Sequence, residues 1–161
     1  MITQPVGAVL QSKENRDLLS VPATATVAEA VAMMSKRSAG SVVIKDARGG
    51  VEGIFTERDL MKRVVDEGRD PKATPIAAVM SCTVRRVPSS SSVEEALRLM
   101  VQHGYRHLLV EEANAVLGLV SIRDLMSWLV LPDEPIAHEG RPGVVKARTE
   151  DTIRSLKGQS H

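Results

Sequence analysis

The stretch Gly53-Ile54-Phe55-Thr56-Glu57-Arg58-Asp59 returns as Gly118-Leu119-Val120-Ser121-Ile122-Arg123-Asp124, 65 residues later (118 − 53 = 65). Both copies read glycine, two apolar residues, a hydroxyl residue, two variable positions and an aspartate. The likeness extends upstream. Val21-Pro22 matches Val87-Pro88, Thr26-Val27-Ala28-Glu29-Ala30 matches Ser92-Val93-Glu94-Glu95-Ala96, and Met34 matches Met100, all at a spacing of 66 (87 − 21 = 66). The one-residue difference falls between Asp46 and Val51, where Ala47-Arg48-Gly49-Gly50 reads as a tight turn. A turn absorbs a deletion, so the two spacings describe one duplicated unit.

Each copy has the same order of elements. Val27, Ala30, Val31 and Met34 fall at i, i+3, i+4 and i+7, as do Val93, Ala96, Leu97 and Met100, which predicts an amphipathic helix in each copy. Thr26 with Glu29, and Ser92 with Glu95, have capping-box spacing at the starts of these helices. Apolar runs follow, Val42-Val43-Ile44 and a second ending at Phe55, then Leu108-Leu109-Val110 and a second ending at Val120; they predict paired strands. Leu60, Met61, Val64 and Val65, and in the other copy Leu125, Met126, Leu129 and Val130, mark a closing helix. With a short opening strand at 18–21 or 84–87, the expected fold is α/β (α+β), two β-α-β-β-α units packed by their strands about a pseudo-twofold axis, with two clefts between them. The first unit is expected over 5–66 and the second over 76–131, each opening on a short helix, at 6–10 and 76–80. A polar linker punctuated by Gly and Pro covers 67–75, and a polar tail with a short helix near 150–156 covers 132–161.

The duplicated motif supports two readings. Thr56 with Asp59 and Ser121 with Asp124 are themselves capping pairs, because an aspartate three residues after a hydroxyl cap can take the place of glutamate. A strand that runs straight into a helix start also presents free amides and the positive end of the helix dipole, which suits an anion. There the hydroxyl can meet a phosphate while the carboxylate accepts from ribose hydroxyls, and the glycine three residues before the hydroxyl in both copies favours this second reading. Capping can persist beside it.

A twofold repeat of this length, with Gly-apolar-apolar-Thr/Ser-x-x-Asp closing each second long strand, resembles a tandem pair of cystathionine-beta-synthase (CBS) domains, a Bateman module. The strings Thr56-Glu57-Arg58-Asp59, Tyr105-Arg106-His107-Leu108 and Ser121-Ile122-Arg123-Asp124-Leu125 are most similar to the small stand-alone bacterial members. Where many members have proline, this chain has Leu109. The resemblance implies a non-catalytic sensor in signal transduction that binds an adenine nucleotide (AMP, ADP or ATP, with NAD(H) or S-adenosylmethionine as further candidates) and passes its state to an unnamed regulated protein. It also implies the binding residues. Thr56 with Asp59, and Ser121 with Asp124, would hold ribose and phosphate, with Arg58 and Arg123 adding phosphate contacts. Leu19 and Gly40-Ser41 would complete the Asp124 pocket; Arg85 and Arg106-His107 would complete the Asp59 pocket. The basic pair Arg106-His107 makes the Asp59 pocket the one expected to favour phosphate charge, with affinity rising as pH falls through the histidine range, near 6.5. Members commonly form homodimers through their helices, so the apolar faces at Leu60–Val65 and 125–130, with Trp128 as an anchor, are the expected dimer surface. The alternative is a module without a ligand, serving only oligomerisation or interaction.

Composition narrows the rest. Lys and Arg number 21 against 20 Asp and Glu, a net charge of +1, so no global field selects nucleic acid or an anionic membrane. One Trp, one Tyr and one Phe leave no aromatic platform for single strands. No apolar run is long enough to span a bilayer, and the lone Cys82 fits a reducing compartment, so a soluble cytoplasmic protein is expected. An enzyme using Cys82 and the histidines is the weakest class. Cys82 has no charged cluster beside it in sequence, Gly104 interrupts the His103 and His107 pair, and no Walker A or GxGxxG loop occurs.

Overall fold

The computed structural model describes residues 4–13 and 17–131, so the expected helix near 150–156 lies outside the described residues. Among these, the elements run α1 (Val6–Ser12), β1 (Ser20–Pro22), α2 (Val27–Arg37), β2 (Ser41–Lys45), β3 (Val51–Thr56), α3 (Glu57–Asp59), a π-helical stretch Leu60–Val65, a 3₁₀ turn Ile76–Ala78, β4 (Arg86–Pro88), α4 (Val93–His103), β5 (His107–Glu112), β6 (Ala115–Ser121) and α5 (Ile122–Val130). The protein is a mixed α/β fold with two three-stranded sheets, ordered β1-β2-β3 and β4-β5-β6. In each, the first pair is parallel and the second antiparallel.

The duplication is visible in the registers. Val43 opposes Ile54 and Leu109 opposes Leu119, and each sheet shifts register once, after Ile44 and after Val110. The turns that follow differ, as the missing residue requires. In the first, Asp46 accepts from the amides of Arg48 and Gly50, and Gly49 sits at φ 82°; the second uses Ala113 and Asn114 at positive φ. All four hydroxyl–carboxylate pairs form reciprocal capping boxes, at Thr26–Glu29, Thr56–Asp59, Ser92–Glu95 and Ser121–Asp124. The closing helices do not match: α5 is regular, whereas the first copy turns π-helical after Asp59. Leu109 is fully buried in the central strand β5.

Two hydrophobic cores form, and each borrows a segment from the far side of the sequence. Val6, Val9 and Leu10 of α1 pack with Val87, Val93, Met100, Leu108 and Leu125 of the second copy. Conversely Ile76 and Val79 pack with Val21, Val27, Met34, Ile44 and Phe55 of the first. Backbone bonds fix the exchange: Val6 N–H donates to Ser91 O at 2.8 Å, and Ile76 N–H donates to Ala25 O at 2.8 Å. The segments 5–66 and 76–131 are therefore units of sequence, while each folded half takes its opening turn from the other. Burial of these aliphatic side chains, at roughly 1.5–3 kcal/mol each, ties the halves together. The 67–75 connection is part of that tie, since Thr74 O and Pro71 O accept from the Val27 and Ala28 amides at the start of α2, both at 2.9 Å.

The motif glycines serve this packing. A Cβ at Gly53 would sit 2.8 Å from Ser81 O and 2.7 Å from Met80 Sδ; at Gly118 it would meet Leu10 Cδ1 at 2.7 Å. Both strands must let the exchanged segment pass close by, a requirement independent of any ligand.

Candidate functional site

Thr56 ends β3 and Ser121 ends β6. Their hydroxyls accept from the amides of Asp59 and Asp124 at 3.3 and 3.1 Å, and the aspartate Oδ2 atoms accept from the Thr56 and Ser121 amides at 2.9 and 2.7 Å. The next amides, of Glu57 and Ile122, donate to Gly40 O and Arg106 O at 3.0 and 2.9 Å. The protein itself thus uses three amides at each helix start that sequence reasoning assigned to an anion. Any phosphate held here must draw its positive charge chiefly from side chains.

Those side chains converge at one of the two motifs. A cleft of about 230 Å³ is lined by Thr56, Arg58 and Asp59 from the first copy and by Arg85, Arg106 and His107 from the second. With Gly40, seven of the sequence-derived residues therefore share one cavity. Three guanidinium-bearing residues stand around it against the two carboxylates of Glu57 and Asp59. Asp59 is further steadied by Arg63 Nε at 3.6 Å, and Arg63 also donates to Met80 O at 3.0 Å, which ties the π-helical stretch to the exchanged turn.

The Asp124 motif is built differently. Asp124 is buried at 5% exposure, and Lys13 Nζ lies 2.9 Å from its Oδ2 while also donating to Leu119 O at 3.0 Å. Its carboxylate is thus already paired with a cation. Arg123 is exposed beside it, Leu19 packs on the first core, and Ser41 is buried opposite Thr56 in the sheet. Gly40, expected at the Asp124 pocket, lines the Asp59 cleft, because its carbonyl binds the Glu57 amide and draws the turn against α3.

Several residues of the two sites were not expected from the sequence, Glu57 among them. Tyr105 and Thr83 line the Asp59 cleft, and Lys13 holds Asp124. The lone tyrosine beside Arg106-His107 was a usable signal. Lys13 could have been found by aligning Pro5-Val6 with Pro75-Ile76, which pairs it with Thr83 (83 − 13 = 70).

The CBS-domain family model matches this chain twice, over residues 6–66 and 76–131. The chain belongs to the CBS-domain family. It is 38% identical over 106 residues to an uncharacterised 17.7 kDa protein of Acidianus ambivalens, the match covering 65% of this chain and 63% of that protein. A second relative, from Methanopyrus kandleri, is 35% identical over 112 residues, 69% of this chain and 57% of the relative. The chain thus spans less than two thirds of the length of these curated relatives. Among solved structures it is similar to a CBS-domain containing protein from Agrobacterium tumefaciens, with TM-score 0.72 and 32% identity over 79% of this chain and 93% of that one. It is also similar to a CBS domain protein from Pyrobaculum aerophilum complexed with AMP, with TM-score 0.66 and 26% identity over 75% of this chain and 89% of that one.

In this CBS pair the histidine does not behave as the sequence suggests. Burial pushes His107 down to about 4, reinforced by the Arg106 and Lys13 charges and opposed by Asp124 and Glu57. The imidazole of the free protein is then neutral near pH 6.5, so the expected rise of affinity moves to lower pH, towards about 4. The unfolded chain takes up the proton near 6.5, the folded chain only near 4, so stability is full above about 6.5 and is lost as pH falls towards 4. Urea midpoints should decline between pH 7 and 5. His107→Gln should remove most of that decline; a variant with an unchanged slope would place the titrating group elsewhere.

Among the described residues no helix is long and apolar enough to cross a membrane, and no group of three or more His, Cys, Asp or Glu is placed to hold a metal ion.

Proposed function

We propose that this chain is a non-catalytic sensor that binds an adenine nucleotide in the Asp59 cleft and passes the bound state to a partner protein. The observation that carries this is the convergence of Asp59 and Thr56 with Arg58, Arg85 and Arg106 around one cavity drawn from both copies. A carboxylate for ribose hydroxyls set beside guanidiniums for phosphate is the polar pattern a nucleotide requires. The AMP complex of the Pyrobaculum aerophilum relative points the same way. Because residues of both copies line the cleft, a ligand bound there contacts both halves and shifts any equilibrium between arrangements in which those contacts differ.

Thermal-shift measurements with AMP, ADP, ATP, NAD, NADH and S-adenosylmethionine test the reading. At least one should raise the melting temperature of the wild type, and Asp59→Ala should abolish the shift. A protein that ignores every one of them would instead fit the second reading, a ligand-free oligomerisation module. That reading draws on the exposed Met61, Val65, Met126, Leu129 and Val130, which a second copy would cover. Trp128, expected as the anchor of that surface, packs against its own core.

A further inference from the structure

The two motifs face different neighbours because the exchanged segments carry residues of different chemistry at the equivalent position nearest each aspartate. Leu10 packs on Gly118 as Met80 packs on Gly53, and Val6 N–H meets the turn before α4 as Ile76 N–H meets the turn before α2. Carried three residues further, this equivalence pairs Lys13 with Thr83 (83 − 80 = 13 − 10). Thr83 lines the Asp59 cleft and leaves Asp59 to its cap and to Arg63 at 3.6 Å. Lys13, in contrast, reaches back onto Asp124 Oδ2 at 2.9 Å and is anchored a second time by Leu119 O.

We propose that Lys13 is an internal occupant of the Asp124 site, so that nucleotide enters the Asp59 cleft alone and reaches Asp124 only when the end of α1 lets go. The ammonium meets the same carboxylate that would accept from ribose hydroxyls, and a ribose cannot use that oxygen while Lys13 holds it. Lys13 and Asp124 have side chains only 20% and 7% exposed, so water screens the contact weakly and an uncharged sugar does not displace it cheaply. Occupancy of the Asp124 site would then report on the position of α1, a segment seated in the other half's core.

This rests on the nucleotide reading above, and calorimetry with AMP as the probe separates the two. The wild type should take up one AMP per chain, lost in Asp59→Ala, whereas Lys13→Met should take up two. Lys13→Gln, which keeps a hydrogen-bond donor, serves as a second variant and should also gain the second site. Two AMP per chain in the wild type, or one in both Lys13 variants, overturns the proposal while the nucleotide reading stands. No uptake by any of these proteins removes the nucleotide reading and the proposal with it. A ligand-free readout checks the contact itself. The His107 imidazole faces Asp124, Lys13, Arg106 and Glu57, and taking away the Lys13 charge leaves Asp124 unopposed, so its NMR titration should move up from about 4 in Lys13→Met. An unmoved titration means that Lys13 does not hold Asp124 in solution, and the proposal fails.

Discussion

Replacing Arg85 and Arg106 together by alanine should weaken AMP binding at the Asp59 cleft by about 100-fold or more and leave adenosine binding nearly unchanged. Both residues line the cleft from the second copy, opposite Asp59 and Thr56. A hydrogen bond to a charged group contributes about 1.5–3 kcal/mol. Two such bonds at the lower end, which suits exposed side chains, sum to roughly 3 kcal/mol, or about two orders of magnitude in affinity. The helix-start amides cannot make up the loss, since those of Thr56, Glu57 and Asp59 already donate to Asp59, Gly40 and Thr56. Both arginines are exposed, so folding stability should hold within about 0.5 kcal/mol. Paired titrations with AMP and adenosine decide the matter. Equal losses for both ligands would mean the arginines shape the adenosine pocket and do not read the phosphate.

The fold was legible because the duplication doubles each weak local signal. One capping pair or one apolar tetrad is common, but Thr26–Glu29 with Ser92–Glu95 in fixed register to Val42 and Leu108 is not, and both helices and all four long strands lie where those patterns put them. The opening strands, Ser20–Pro22 and Arg86–Pro88, lie one to two residues later than the expected 18–21 and 84–87, because their pairing is set by the central strands and not by their own composition. The exchange of α1 and the Ile76–Ala78 turn was not legible. Val6, Val9 and Leu10 carry an apolar stripe that fits either core, and only the tertiary bonds to Ser89 and Ser91 choose one. The π-helical course of Leu60–Val65 left no mark either, since its side chains keep the spacing of an ordinary amphipathic turn.

The candidate site shows the same division. Thr56, Arg58, Asp59, Arg85, Arg106 and His107 were grouped from the motif and the resemblance, and one cavity gathers them. The motif glycines carry no information about a ligand, because Gly53 and Gly118 are required by Ser81, Met80 and Leu10. What sequence could not show was the state of each carboxylate. Identical capping boxes at Asp59 and Asp124 hide a difference that comes from Lys13, a residue more than 100 positions away from its partner.

That difference should appear in folding more than in binding. Asp124→Ala is expected to cost about 3 kcal/mol of stability, against about 1 kcal/mol for Asp59→Ala. Each change removes a capping carboxylate, a loss of about 1 kcal/mol. Asp124→Ala in addition strands the largely buried Lys13 ammonium without a counter-charge, and breaking such a pair from one side is costly because the remaining charge is left uncompensated. Arg63, the partner of Asp59, is 46% exposed at 3.6 Å and returns to water with little penalty. Urea unfolding of both variants measures the contrast, and the double variant Lys13→Met/Asp124→Ala refines it. Removing the stranded charge should recover more than about 1 kcal/mol of the Asp124→Ala loss, the range of coupling found for residues in direct contact. Equal losses at Asp59 and Asp124, with no recovery in the double variant, would show that the Lys13 ion pair carries no stability and that the two caps are alike in energy as they are in sequence.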